Sequence, residues 1–241
     1  MIYKEISYED YLNLQDKTRA YLVLYPDGSK SWYLNGHLHR EDGPAIEWSS
    51  GSKEWYLNGH RHREDAPAVE WAEEDKEWWI HGKLHREDGP AIEDADGRKK
   101  VWYFNGFPHR EDGPAVECIG GEKEWLVHGL LHRENGPAVE RANGTKQWWL
   151  NGLCHREDGP AIEYADGGKE WYLNGLRHRE DGPAVEWFDG GKSWWIHGKR
   201  HREDGPAIED VDGRKKVWYL HGKRYGTEEE WEIAKIKDQI V

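Results

Sequence analysis

Along the chain, short aromatic and branched runs alternate with polar turns. No stretch between Tyr21 and Tyr225 carries the three-to-four-residue spacing of an amphipathic helix. Glu170-Trp171-Tyr172-Leu173-Asn174, closed by Gly175, predicts a strand. Pro183-Ala184-Val185-Glu186-Trp187 predicts a second, with proline at its first residue, where a missing amide donor is tolerated. Asp189-Gly190-Gly191 then supplies a tight reversal before Lys192, so the strands flanking it should pair antiparallel. His-Arg-Glu-Asp-Gly-Pro reads as a longer connection between hairpins.

The pattern is periodic. His-Arg recurs at His39, His62, His85, His109, His132, His155, His178 and His201, spaced by 23 or 24 residues. Each repeat runs approximately Lys-x-Trp, two aromatic or branched residues, Asn or His, Gly, then His-Arg-Glu-Asp-Gly-Pro-Ala, Ile or Val, and Glu. A ninth, degraded copy ends at Tyr225. Ordering one such repeat costs on the order of 35 kcal/mol. Burying its Trp, Leu and Ile or Val returns only ~2–3 kcal/mol each, so neighbours must stack and share faces. The expected fold is therefore all-β, an elongated solenoid or meander of eight to nine antiparallel hairpin repeats over residues 21–226. Residues 1–20 and 227–241 are expected to cap it. Thr227-Glu228-Glu229-Glu230 is a capping box followed by Trp231, Ala234 and Ile236, which predicts a helix; Ser7 to Thr18 predicts a weaker one.

Trp-Tyr-Leu-Asn-Gly followed by a second glycine-containing turn every 23 residues resembles MORN repeats, in their variant form with an aromatic-x-x-Asn-Gly signature. The resemblance covers residues 21–226 and implies successive antiparallel hairpins. The His-Arg-Glu-Asp-Gly-Pro-Ala block is a departure from ordinary MORN units. Arrays that carry it resemble uncharacterised proteins of phages and large DNA viruses. Variant MORN repeats are also similar to bacterial antitoxin or immunity proteins. The resemblance thus implies a binding, inhibitory or counter-defence role.

Composition narrows the classes. Thirty-four Lys and Arg stand against 47 Asp and Glu, a net charge of −13. Such a chain is poorly suited to binding polyanions directly, and an acidic-lipid partner fits no better. No apolar run is long enough to span a membrane, and Met1 to Ala20 lacks the pattern of a secretory signal. Two cysteines make no disulfide framework, so a reducing, cytoplasmic setting (host cytoplasm for a viral protein) is expected. Protonating all 14 histidines would carry the formal charge from −13 to +1, so association and solubility should change between about pH 7 and 5.5.

The His-Arg-Glu-Asp column has the residue types of general acid–base or metal chemistry. It is present in eight near-equal copies about 10 Å apart, whereas an active site needs one special constellation and a shared metal needs closer ligands. The expectation is a structural staple in which Arg bonds acids and His satisfies loop carbonyls. No catalytic residue, metal or cofactor is expected. Glu47 and Lys53 should face each other across the hairpin, and Trp55 should face Ala45. Ligand choice should then sit in columns that vary. The position after the strand Glu holds the exposed aromatic candidates Trp48, Trp71, Tyr164 and Trp187, either partner anchors or rings lying flat over neighbouring strands. The positions before His-Arg give an apolar middle, Phe107, Leu130, Leu131 and Leu153, suited to protein contact or self-association. Arg98-Lys99-Lys100 and Arg214-Lys215-Lys216 are lengthened turns or anion-docking points. The expected partner is a protein. The alternatives are capture of a nucleotide signal or glycan, and acidic mimicry of nucleic acid.

Overall fold

The computed structural model describes residues 1–238; the last three positions of the expected C-terminal cap lie outside the described residues. The chain divides into two compact parts, residues 1–120 with 127–129 and residues 121–126 with 130–241. Each is an all-β repeat meander. In the first, Lys30–Leu34, Ile46–Glu47, Lys53–Glu54, Val69–Glu70, Lys76–Glu77, Ile92–Glu93, Lys99–Val101 and Val116–Cys118 pair antiparallel in chain order. In the second, the same succession runs from Lys123–Glu124 through Val139–Glu140 to Ile208–Glu209 and Lys216–Leu220.

The Lys–Glu register is as expected, and doubled: Lys53 lies opposite Glu47 on one side and Glu70 on the other. Such exposed cross-strand pairs contribute a few tenths of a kcal/mol up to about 1 kcal/mol each. Inside the sheet a column of alanines, from Ala45 to Ala207, is fully buried. Alanine is small enough for the next strand and the flanking tryptophan to close over it, which explains how so little aliphatic side chain makes a core. The tryptophan amide makes its ladder bond within its own repeat: Trp55 N–H donates to Ala68 O at 2.8 Å, not to the preceding Ala45.

The expected long strand at Glu170–Asn174 is broken at Trp171. Lys169–Glu170 belongs to the main sheet, whereas Tyr172–Leu173 pairs with Leu176–Arg177 in a second, small hairpin. The turn between them is Asn174-Gly175, with φ of 50° and 79°. Two successive positive φ values define the primed two-residue turn that matches strand twist, and Asn-Gly is its favoured pair. Each repeat therefore has two hairpins. The strand expected at Pro183–Trp187 also shortens, to Val185–Glu186, because Pro183 and Ala184 give their carbonyls to Arg179 and Trp171.

The start of the chain differs from the expected helix. Lys4–Ser7 is a strand, paired parallel with Tyr21–Leu24, and a single helical turn, α1 (Tyr8–Leu12), follows, capped by Ser7 Oγ accepting from Asp10 N–H at 3.1 Å. Tyr11, Tyr21 and Val23 form a small buried cluster there. The C-terminal helix α2 (Glu228–Asp238) forms where the capping box predicts it. Thr227 Oγ accepts from Glu230 N–H at 3.2 Å, and Glu230 Oε2 accepts from Gly226 N–H at 2.9 Å. Trp231, 2% exposed, pins α2 to the protein.

Candidate functional site

The His-Arg-Glu-Asp-Gly-Pro loop is built around its arginine. In all eight copies the guanidinium lies over the tryptophan of the same repeat, 3.7–4.1 Å from the ring centroid. Its Nη1 donates to the proline carbonyl at 3.0–3.3 Å and to the strand glutamate at 2.9–3.3 Å; Arg156, for example, reaches Pro160 O and Glu163 Oε1. In six copies Nε also donates to the loop aspartate at 2.7–3.0 Å. That bond holds the carboxyls of Asp42, Asp88, Asp112, Asp158, Asp181 and Asp204 below the ordinary carboxylate range.

The two copies without this aspartate bond are the two whose sequence departs from the pattern. One has Asn135 in place of Asp. The other has Ala66 in place of Gly, and there Arg63 keeps only its Pro67 and Glu70 bonds. The reason is steric: a Cβ on the equivalent Gly89 would stand 2.8 Å from Arg86 Cζ, so an alanine pushes the guanidinium aside.

The histidines work differently from expectation. Instead of donating to loop carbonyls, each Nδ1 accepts a backbone N–H from the positive-φ residue of the following repeat. His39 takes Asn58 N–H at 3.1 Å, His62 takes His81 N–H at 3.2 Å, and the remaining six do likewise within 3.1–3.2 Å. The other ring nitrogen, Nε2, faces the loop glutamate at 3.4–4.0 Å where that contact forms. Burial, and then the neighbouring rings of His81 and His221, push His62 and His201 below the usual imidazole value, against the opposing pull of Glu64 and Glu203.

Between successive loops lie open clefts. One of about 750 Å³ has Trp148 and Leu150 as floor and the loops at Arg133 and Arg156 as walls; another of about 700 Å³ lies over Trp78 and Ile80. The arginines are occupied in the staple, and so are the aspartates apart from Asp65, while the loop Glu stands in the open: Glu87 is 80% and Glu157 83% exposed. Among the described residues no three His, Cys, Asp or Glu side chains cluster as metal ligands would.

A second network lies on the hairpin side. Glu54 is buried and receives Trp48 Nε1 at 2.9 Å, Tyr56 OH at 3.0 Å and Arg61 Nε at 3.0 Å. Glu170 receives Tyr164 OH at 3.1 Å, Tyr172 OH at 2.8 Å and Arg177 Nε at 3.0 Å. Neither glutamate stands out by composition, and the signal that finds them is the Arg seven residues later. Trp48 and Tyr164 are thus tethered by their polar tips, and all four column aromatics are only half-covered: Trp48, Trp71, Tyr164 and Trp187 are 39–44% exposed. Phe188, next to Trp187, is more exposed than any of these and extends the surface the sequence pointed to.

The other candidates divide. Leu130 and Leu153 are exposed, as is Phe107, and each side chain rests on the turn glycine of the following repeat, 3.2–3.3 Å from where its Cβ would be. Leu131 does not join them. It is the next residue in a strand, faces the opposite side and is half-buried. Leu176 takes its place in the exposed row, over Gly198. Of the basic triplets, Arg98 is paired with Asp94 and Asp96, and Arg214 with Asp212. Lys99 and Lys100 lie in a main-sheet strand, Lys100 between Glu93 and Glu117; Lys216 is opposite Glu209, while Lys215 donates its N–H to Asp210. In both triplets the charge is largely balanced locally. Cys118 and Cys154 are free thiols; burial and the nearby Glu170 push Cys154 up to about 12.

Among the described residues no helix is long and apolar enough to cross a membrane. No protein-family model matches the chain, and no curated protein matches it in sequence.

Proposed function

We propose that this chain is a non-catalytic binding array that engages a protein partner, as an inhibitor or scaffold. The observation that carries the reading is the state of the column aromatics. Trp48 and Tyr164 are half exposed while Glu54 and Glu170 fix their polar tips, so the rings are held ready before any partner arrives. Large rings whose ordering is already complete are the side chains that dominate protein interfaces. The repeated Arg, Asp and His support the same reading from the other direction, since internal bonds consume them in near-equal copies. The resemblance to variant MORN arrays favours an inhibitor, immunity or counter-defence setting.

The test is purification of the tagged chain from the cytoplasm of its source or host, followed by native mass spectrometry. A stoichiometric protein partner, lost from Trp71→Asp, is the expected outcome. A bound small molecule in its place would make the chain a ligand-capturing protein. Displacement of the partner by duplex DNA would make it a nucleic-acid mimic.

A further inference from the structure

Seven asparagines are followed directly by glycine, and the fold treats one pair differently from the rest. In Asn58-Gly59, Asn105-Gly106, Asn151-Gly152 and Asn174-Gly175 the glycine N–H donates to a carbonyl of the preceding repeat at 2.8–2.9 Å, and the asparagine N–H donates to that repeat's histidine. Gly144 N–H donates to Arg141 O within its own turn, and Asn143 Oδ1 accepts from Thr145 N–H. Asn35-Gly36 has no repeat before it, but Leu34 and His37 pair across it and both of its φ values are positive, 52° and 78°. Asn135-Gly136 is the seventh pair.

It lies in the fifth loop, where Asn135 takes the place of the aspartate, and Asn135 is exposed. Among the described residues, neither its side-chain amide nor the Gly136 N–H is hydrogen-bonded, and the pair closes no hairpin. Around it the staple is ready. The Arg133 guanidinium sits 3.8 Å from the Trp125 ring centroid, and its Nη1 reaches Pro137 O at 3.0 Å and Glu140 Oε1 at 3.3 Å. Only the Nε bond to an aspartate is missing, which six other copies make.

An asparagine amide beside an unhindered backbone N–H can be lost without an enzyme. The Gly136 nitrogen gives its proton to hydroxide and attacks Asn135 Cγ. A new C–N bond closes a five-membered succinimide, the Cγ–Nδ2 bond breaks, and ammonia leaves with a proton from water. Water then opens the ring, leaving aspartate, or isoaspartate where it attacks the other carbonyl. Glycine has no Cβ to block the attack. Closure also requires the asparagine backbone to rotate, which a bonded turn resists and an exposed loop permits. We propose that Asn135-Gly136 is a self-modifying site, consuming water and releasing ammonia, that turns Asn135 into the aspartate the loop lacks and so completes the Arg133 staple after synthesis. A carboxylate held by a guanidinium is a poor electrophile, so the aspartate persists. The change adds one negative charge to the wall of the cleft of about 750 Å³ that Asn135 lines.

Peptide mapping by mass spectrometry of the full chain, aged in mildly alkaline buffer, reads the site, since each converted asparagine gains about 1 Da. Asn135 should convert at least ~10-fold faster than each of the other six, which must first break hydrogen bonds or open a paired turn. In urea the seven rates should draw together. Asn135→Asp should melt above freshly prepared wild type, and its Arg133 Nε–H resonance in ¹⁵N NMR should match one that grows in as the wild type ages. Three results overturn the proposal: Asn135 converting no faster than the others, a preference that persists unchanged in urea, or an Asn135→Asp protein that melts no higher than fresh wild type.

Discussion

At the scale of single residues, the loop arginine carries the most connections, and glycine makes room for it. Gly89 has no Cβ, so Arg86 folds back over Trp78, 4.0 Å from its ring, and still reaches Asp88 at 2.8 Å. Gly89→Ala should reproduce what Ala66 does naturally: the Arg86–Asp88 bond opens while the Pro90 and Glu93 bonds persist. Because Arg86 is what holds the Asp88 carboxyl down, its titration by NMR should move up toward 3.8, the unperturbed value. An unmoved Asp88 would refute the steric account. Arg156→Ala removes the ring contact together with all three acceptor bonds and should cost about 1–3 kcal/mol. Asp158→Ala removes only an exposed arm and should lower thermal stability less. The arginine's acidic partners were foreseeable from the motif. Its seat on tryptophan was not, because Trp and Arg lie eight residues apart and meet only once the small Asn-Gly hairpin folds the chain back.

The hairpin, as an element, is joined to the next by histidine. An Nδ1 that accepts an amide N–H must be unprotonated, so acidification breaks that bond in each repeat it reaches. For His62 and His201 the folded-state value lies below the unfolded 6.5, first through burial and then through His81 and His221. Asp238, which meets His221 at 2.7 Å, and the loop glutamates oppose this. A lowered imidazole means that the unfolded chain binds more protons, so this stability is fully present above about pH 6.5 and is lost as pH falls below it. The loop aspartates, held below 3.8, contribute stability that is lost only in a later, more acidic window. Melting temperature should thus be flat from about pH 8 to 7, then fall between about 6.5 and 5. A flat profile down to about pH 4.5 would contradict the histidine ladder. Counting 14 histidines pointed to a pH response through net charge; the hydrogen bonds between repeats add a second source for it. The acceptor role was illegible because its donor is a backbone N–H in the next repeat, which no side-chain pattern reports.

At the scale of the whole molecule, periodicity settled the all-β meander and the helical C-terminal cap, since strand, turn and capping signals agree in each copy. What it concealed was the break at each tryptophan, where an apparently continuous apolar run changes pairing partner. Within the second part, the repeats from Lys146 and Lys169 pair only with their neighbours in chain order. Deleting residues 146–168 therefore joins equivalent positions and should leave a cooperatively melting β protein, checked by circular dichroism. Loss of all structure would show that the repeats depend on more than their neighbours. The central claim is a division of labour, in which the repeated columns hold the fold and the variable aromatic column holds the partner. The most direct measurement compares melting temperature and affinity for the co-purified partner in Arg156→Ala and Trp71→Asp; the latter column accepts Asp at Asp94 and Asp210. Arg156→Ala should melt several degrees lower with its affinity nearly unchanged. Trp71→Asp should bind at least ~10-fold more weakly with a smaller change in melting. Lost binding in Arg156→Ala at unchanged melting, with Trp71→Asp binding normally, would contradict the division.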